Sequence, residues 1–412
     1  MYISEGIPYG FTSTAIVAYL RGLGMPLDDI GLLVAALFLP WAFKWAWAPL
    51  VDIFRFNSYG GRKLWIIVCT TMMMLTLLAL LWLDMASNFM VLLGLIVFHN
   101  IFAATQDVAI DSLAISSLKA DELSRGNGFM FGGQYFGIAL GGAGAIALFG
   151  LIGFNMTLLV MCILLMINLC FILFFIEDPD VDDAASDDSL MVVLKNFGNE
   201  LKLGFLGSGR GPLIALLVSL LPAGTMALAY ATLATIQVDY GLSEGQMSAI
   251  TGANTIVAAI GCIVGGYLGD KYGIRRVLFA AYLATAVPTL ILAFSIYAVG
   301  LENISYWTLS STIVAHGFTY GVMFGVFAAV MMGVTNPAVG ATMFTAYMAM
   351  SNLTISYTNF WQGKVSEATD YATTLFIDCG LLILPLLAIP LLLSRKDSLE
   401  VSKQHSAATN EA

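Results

Sequence analysis

Charge is scarce in this chain. Only 11% of its 412 residues are Asp, Glu, Lys or Arg, where a soluble domain carries about 25%. The 17 basic residues are scattered, so no basic patch of the kind that holds nucleic acid is present. The five cysteines all fall in apolar runs without a C-x-x-C pair, which excludes a disulfide frame and a cysteine metal site. No G-x-x-x-x-G-K-[ST] loop occurs, which argues against a nucleotide-driven pump. There is neither a paired nucleophile nor a metal motif, so no enzyme and no cofactor are expected. Net charge is -10, and seven of the 27 acids sit in one segment, 177–188.

What the chain has is apolar length. Hydrophobic residues make up 59% and mean hydropathy is +0.87. Runs of 18 or more apolar residues indicate transmembrane helices. Twelve are expected, at 2–21, 29–51, 64–84, 89–116, 126–150, 155–176, 212–237, 246–269, 277–299, 305–332, 338–361 and 371–394. The polar stretch 177–211 separates a first bundle, 1–176, from a second, 212–394, with a tail at 395–412. The expected class is therefore an all-α integral membrane protein. Fourteen of the 17 basic residues fall on the side of the linker, and only Arg21 and Lys364 on the other. The positive-inside rule then places both termini in the cytoplasm, the chain being multi-pass in the cytoplasmic (inner) membrane.

The two halves echo each other. WAPLVDIFRFNSYGGRK (47–63) and GYLGDKYGIRR (266–276) each follow an apolar run, turn on an aspartate and close on glycine and paired basic residues. Asp52, Arg62 and Lys63 answer to Asp270, Arg275 and Arg276, the aspartates lying 218 residues apart. Such a duplicated loop resembles the signature of the major facilitator superfamily, which implies two pseudo-symmetric six-helix bundles and these residues as gating loops. Glycines recur every fourth residue at Gly133, Gly137 and Gly141 and again at Gly317, Gly321 and Gly325. That spacing lets helices approach closely in lipid and gives the halves smooth surfaces on which to rock.

A charge at bilayer depth costs roughly 3 kcal/mol or more, so each one needs a reason. Glu5, Lys44, Asp107 and Asp111 are the candidates for proton coupling, with Asp378 in the last span. Asn100, Asp107 and Asp111 share one helical face, and Lys44 lies at a depth that matches the two acids. A Lys44–carboxylate pair either locks two helices together or forms a titratable cluster whose partners change during transport. His99 and His316 lie 217 residues apart near the middle of their spans. They are expected to flank a midplane cavity with Asn100, Gln106, Gln134 and Asn352, unless each is only a packing residue.

The N-terminal half resembles one branch of the superfamily, that of the AmpG-type muropeptide permeases and the acetyl-coenzyme A transporters. Glu5-Gly6-Ile7-Pro8, PWAFKWAWAPLVD (40–52), GGRKLW and ATQDVAIDSLA (104–114) carry the likeness. Where AmpG-like sequences tend to have a small residue this chain has Glu5, which adds a proton site. The resemblance implies a monomeric, proton-coupled importer of an anhydro-muropeptide or related amino-sugar peptide, whose partners are that small molecule, protons and the bilayer. The alternatives are a permease for siderophores, acetyl-coenzyme A or another organic anion, and a receptor of this fold that signals without turnover.

Overall fold

The computed structural model describes residues 1–53, 61–117, 132–177, 190–336 and 339–392. Among them every regular element is helical. Among the described residues nine helices are long and apolar enough to cross a membrane. They are α2 (Leu27–Ala46), α3 (Arg62–Trp82), α4 (Phe89–Leu113, helical on to Ser117), α5 (Gly132–Ile152), α6 (Phe154–Phe175), α8 (Glu244–Tyr272), α9 (Ile274–Val299), α10 (Tyr306–Val334) and α12 (Tyr371–Leu391). Three irregular or polar spans complete twelve. In α1, two α-helical stretches, Tyr2–Gly10 and Ile16–Gly22, flank a π-helical turn, Phe11–Ala15. The seventh span, α7, is two pieces, Arg210–Ser219 and Ala231–Asp239. The polar α11 spans Gly340–Ala368.

The departures from even helices have chemical causes. The second span was expected to continue to residue 51, but its α-helix ends at Phe43 and a 3-10 turn, Lys44–Ala46, follows. Pro49 has no N–H to offer the Trp45 carbonyl. The seventh span was expected to be continuous. It breaks because Pro222 and Gly224, the latter at φ 75°, interrupt it and side chains take over its backbone bonds. The linker, expected to be merely polar, contains an amphipathic helix, Leu190–Phe205, bent 102° from the start of α7. Gly61 (φ 64°) and Gly273 (φ 92°) stand immediately before α3 and α9. A positive φ explains why both echoed loops end on glycine.

The glycine ladders lie inside the halves, not between them. Gly137 and Gly141 meet the backbone of α1 at Ile3 and Ile7, while Gly317, Gly321 and Gly325 meet α8 at Asn254, Ala258 and Cys262. A surface for rocking between halves is therefore not what they form. A Cβ at Gly321 would come 2.8 Å from the Ala258 Cα. Gly321→Leu is expected to lower stability by about 1–3 kcal/mol, measured as a loss of melting temperature in detergent. An unchanged melting temperature would show that α8 and α10 have slack.

The apolar core reports the conformation. At the end away from the linker one cluster runs through both halves, from Phe11, Leu33 and Phe154 to Ala234, Ile250 and Leu309. Toward the linker end it divides into two separate clusters. One, around Ile66, Ile110 and Ile172, belongs to the first half; the other, around Tyr282, Phe327 and Tyr347, belongs to the second. The halves are thus joined at the far end and part toward the linker.

Candidate functional site

In the first half the break at Lys44 brings its ammonium to Asp107 of α4, with which it forms an ion pair and hydrogen bond. Both side chains are largely buried. The ammonium also lies 5.2 Å from the centre of the Trp41 ring, a cation–π distance. Around this pair the other acids of α1 and α4 gather. Glu5 lies beside Asp107. Its Oε1 accepts from Gln134 Nε2 at 2.6 Å, while its Oε2 has no N–H or neutral O–H donor. Tyr2 donates its hydroxyl to Asp111 Oδ1 at 2.7 Å. Among the described residues three carboxyls therefore gather around one side-chain cation. Tryptophans steady the frame: Trp41 Nε1 donates to Asn100 Oδ1 (3.2 Å) and Trp47 Nε1 to Thr105 Oγ1 (3.0 Å).

The other expected residues fall less uniformly. Gln106 turns from the acids toward α3, donating to Thr70 Oγ1 at 2.5 Å. Asn352 is half-buried on α11. His99 packs within the first half, its Nδ1 2.8 Å from Thr76 Oγ1 of α3, beside Leu77 and Leu95. His316 stays within the second half. Its Nε2 is 2.9 Å from the Thr225 carbonyl, and since a carbonyl only accepts, that nitrogen carries the hydrogen. The two imidazoles thus do not face each other. His99→Gln should transport like the parent between about pH 5 and 8, the range in which an ordinary histidine titrates. A changed pH profile of uptake would put His99 in the proton path.

The gating-loop residues are described in part. Lys63 Nζ donates to the Leu173 carbonyl at 2.9 Å, capping the end of α6, and Arg62 is buried. Asp270 and Arg276 are exposed at the turn between α8 and α9, and Arg275 is half-buried there. The side chain of Asp52, residues 54–60, Lys119, Arg125 and the tail lie outside the described part.

Two groups escaped the sequence reading. The first is a chain of aromatic rings bridging the halves. Tyr9 packs on Trp41 (6.1 Å) and Phe38 (5.8 Å), Phe38 on Tyr230 (5.5 Å), Tyr230 on Tyr320 (6.4 Å), and Tyr320 on His316 (5.6 Å). Tyrosines favour the membrane interfaces, so those placed well inside spans, Tyr9, Tyr135 and Tyr320, were the available signal. The second is the far-end closure. Arg21 grips Asp239 with two hydrogen bonds of 2.6 and 2.7 Å, and Tyr371 donates to the same carboxylate at 2.7 Å. Lys364 pairs with Asp28 (2.7 Å), and the Leu27 amide donates to Glu367 (2.7 Å). The two basic residues that stood alone on the far side are thus the two that tie the halves together.

At the linker end, Trp45 stacks on Phe197 of the linker helix at 6.2 Å. A cavity of about 370 Å³ lies there between Trp45, Leu201, Phe205, Leu216 and Met350. Its wall is apolar.

Comparison with known proteins agrees with this architecture. The model of the Major Facilitator Superfamily matches residues 1–359 and, in a second placement, 213–408. The anhydromuropeptide permease of Escherichia coli K12 is 23% identical over 385 residues, covering 90% of this chain and 74% of that protein. Among solved structures, the nucleoside transporter NupG superposes with a TM-score of 0.72 at 16% identity, covering 95% of this chain and 96% of that one. The xylose transporter XylE from E. coli in its inward open conformation gives 0.74 at 11% identity, covering 97% and 98%.

Proposed function

Because the chain belongs to the major facilitator superfamily and is a multi-pass membrane transporter, we propose that it imports an anhydro-muropeptide or related amino-sugar peptide together with protons. The observation that carries the proton coupling is the cluster of Glu5, Asp107 and Asp111 around Lys44, the one side-chain cation among the residues described there. With one cation for three carboxyls, protons are the ligands that balance the site in low dielectric. Loading from outside weakens the hold of Asp107 on Lys44 and permits closure. Release inward restores the pair, which is the arrangement seen with the far end shut. The substrate reading is supported by the permease likeness across nine-tenths of the chain and by the inter-half aromatic rings, which offer faces for a sugar ring. In this reading the linker and both termini are cytoplasmic, the gating loops work at that face, and the carrier is a monomer of the inner membrane.

Uptake of labelled anhydro-muropeptide into proteoliposomes, with the outside made acid, tests both parts. Accumulation that collapses when a protonophore is added is expected. Accumulation indifferent to the protonophore removes proton coupling. No muropeptide uptake, with uptake of a siderophore or a coenzyme A thioester instead, replaces the substrate.

A further inference from the structure

The break in α7 releases backbone groups that a continuous helix would bond internally, and buried groups of this kind need partners. Three other helices of the second half supply them. Thr285 of α9 accepts from the Thr225 amide at 3.0 Å, and Asn359 of α11 accepts from the Ala231 amide at 3.1 Å. Asp378 of α12 takes two: its Oδ2 accepts from the amides of Met226 (2.8 Å) and Ala227 (2.9 Å). Its Oδ1 accepts from Gln362 Nε2 at 3.1 Å. Asp378 is wholly buried, and every one of these donors is neutral. From the break in α7 its partners are backbone amides, and the Thr225 hydroxyl stands next to them in sequence. Thr225 in turn meets Thr285 and Thr289 of α9 and His316 of α10, and Tyr282 lies one turn before Thr285 on α9. The α11 face offers Asn359 and Gln362, and Cys379 follows on its own helix. No lysine or arginine is among these neighbours.

Gln362 adds the deciding detail. Its Oε1 is buried and has no donor. If Oδ1 of Asp378 takes a proton from water, a half-turn of the Gln362 amide presents Oε1 to the new O–H in place of Nε2 donating to Oδ1. Oδ2 keeps both backbone amides throughout. One proton is gained, no other bond changes, and either state has a complete carboxyl partner set without movement of the main chain. Bonds to an ionised acceptor are roughly twice as strong as neutral ones, so the loop is held more tightly while Asp378 is charged.

We infer that Asp378 is a second proton-binding site, in the second half, whose occupancy sets how firmly the break in α7 is held. Beyond the break, Ala231–Asp239 carries the far-end closure through Asp239. Loss of charge at Asp378 loosens the anchor of that closure. The functional meaning rests on the proton-coupled reading above; the titration of the carboxyl does not.

Infrared difference spectroscopy of the full-length protein, scanned between about pH 5 and 9, where buried carboxyls titrate, tests the site without substrate. A pH-dependent carboxylic-acid stretch is expected in the parent and missing in Asp378→Asn. Gln362→Leu, which keeps the carboxyl, should displace that stretch by removing its hydrogen-bond partner. Identical difference spectra in parent and Asp378→Asn would overturn the proposal, as would an unmoved band in Gln362→Leu should the first variant fail to fold. In proteoliposomes Asp378→Asn mimics the neutral acid, so substrate exchange should persist while proton-driven accumulation falls about tenfold or more. Equal accumulation would remove the link to transport. A parent that titrates at Asp378 yet shows no proton-driven uptake would sink the coupled-import reading and leave this site standing.

Discussion

Lys44→Ala is expected to abolish proton-driven accumulation while leaving substrate exchange measurable. Among the described residues Lys44 is the one side-chain cation in the cluster, paired with Asp107 and set against the Trp41 ring. Removing one member of a buried pair costs roughly 3–5 kcal/mol, enough to depress a coupled step by about two to four orders of magnitude. With the cation gone, nothing competes with protons for Asp107, and the site no longer alternates between two partners. Carriers then shuttle substrate down its gradient without using the proton gradient. Uptake and counterflow, measured side by side at equal protein abundance, separate this from a purely structural loss. If both fall together with the melting temperature, and Lys44→Ala/Asp107→Asn restores both, the pair is only a lock between α2 and α4. If the single variant accumulates substrate like the parent, the cluster has no part in coupling.

The second large effect is expected at the contact between α2 and α11. Here the halves themselves touch backbone to backbone: a Cβ on Gly363 would come 2.5 Å from the Leu27 carbonyl oxygen and 2.8 Å from the Gly31 Cα. Ser356 donates across the same interface to the Ala35 carbonyl at 2.7 Å. Gly363→Leu should wedge the far end apart. Overpacking of about 1–3 kcal/mol shifts the equilibrium between closed and open roughly 5- to 150-fold. Spin labels at Ser87 and Asn303, exposed far-end positions in opposite halves, would report a longer distance in the variant. Transport should slow while substrate still binds from outside. An unchanged label distance would mean that the far end opens without separating these two helices.

The elements most legible in the sequence were those governed by composition over long windows. Twelve apolar runs, the half-way linker and the duplicated loop needed only hydropathy and spacing, and the depth match of Lys44 with Asp107 needed only helical rise. Rotation about the helix axis was harder. His99 and His316 share a depth, but one turns toward Thr76 and the other toward Thr225, because each follows its own hydroxyl or carbonyl partner. No pattern along the chain encodes that choice. The break in α7 was hidden for a related reason. Its backbone is satisfied by Asp378, Asn359 and Thr285, residues 60 to 152 positions from the amides they bond, and only packing brings them to it. The amphipathic linker helix was overshadowed by the acidic run that precedes it.

Arg21 and Asp239 lie 218 residues apart, the same interval that separates Asp52 from Asp270. They therefore occupy matching places in the two repeats, on opposite sides of the axis that relates them. Two identical copies of one repeat, assembled as a pair, would meet there as arginine against arginine or aspartate against aspartate. Such a pair would repel at the point where this chain is fastened. The fastening requires two repeats that differ at this position, as they do within this one polypeptide. Its strength is a product of asymmetry at a symmetric address, and an exchange of the two residues, Arg21→Asp with Asp239→Arg, keeps that asymmetry while reversing its direction.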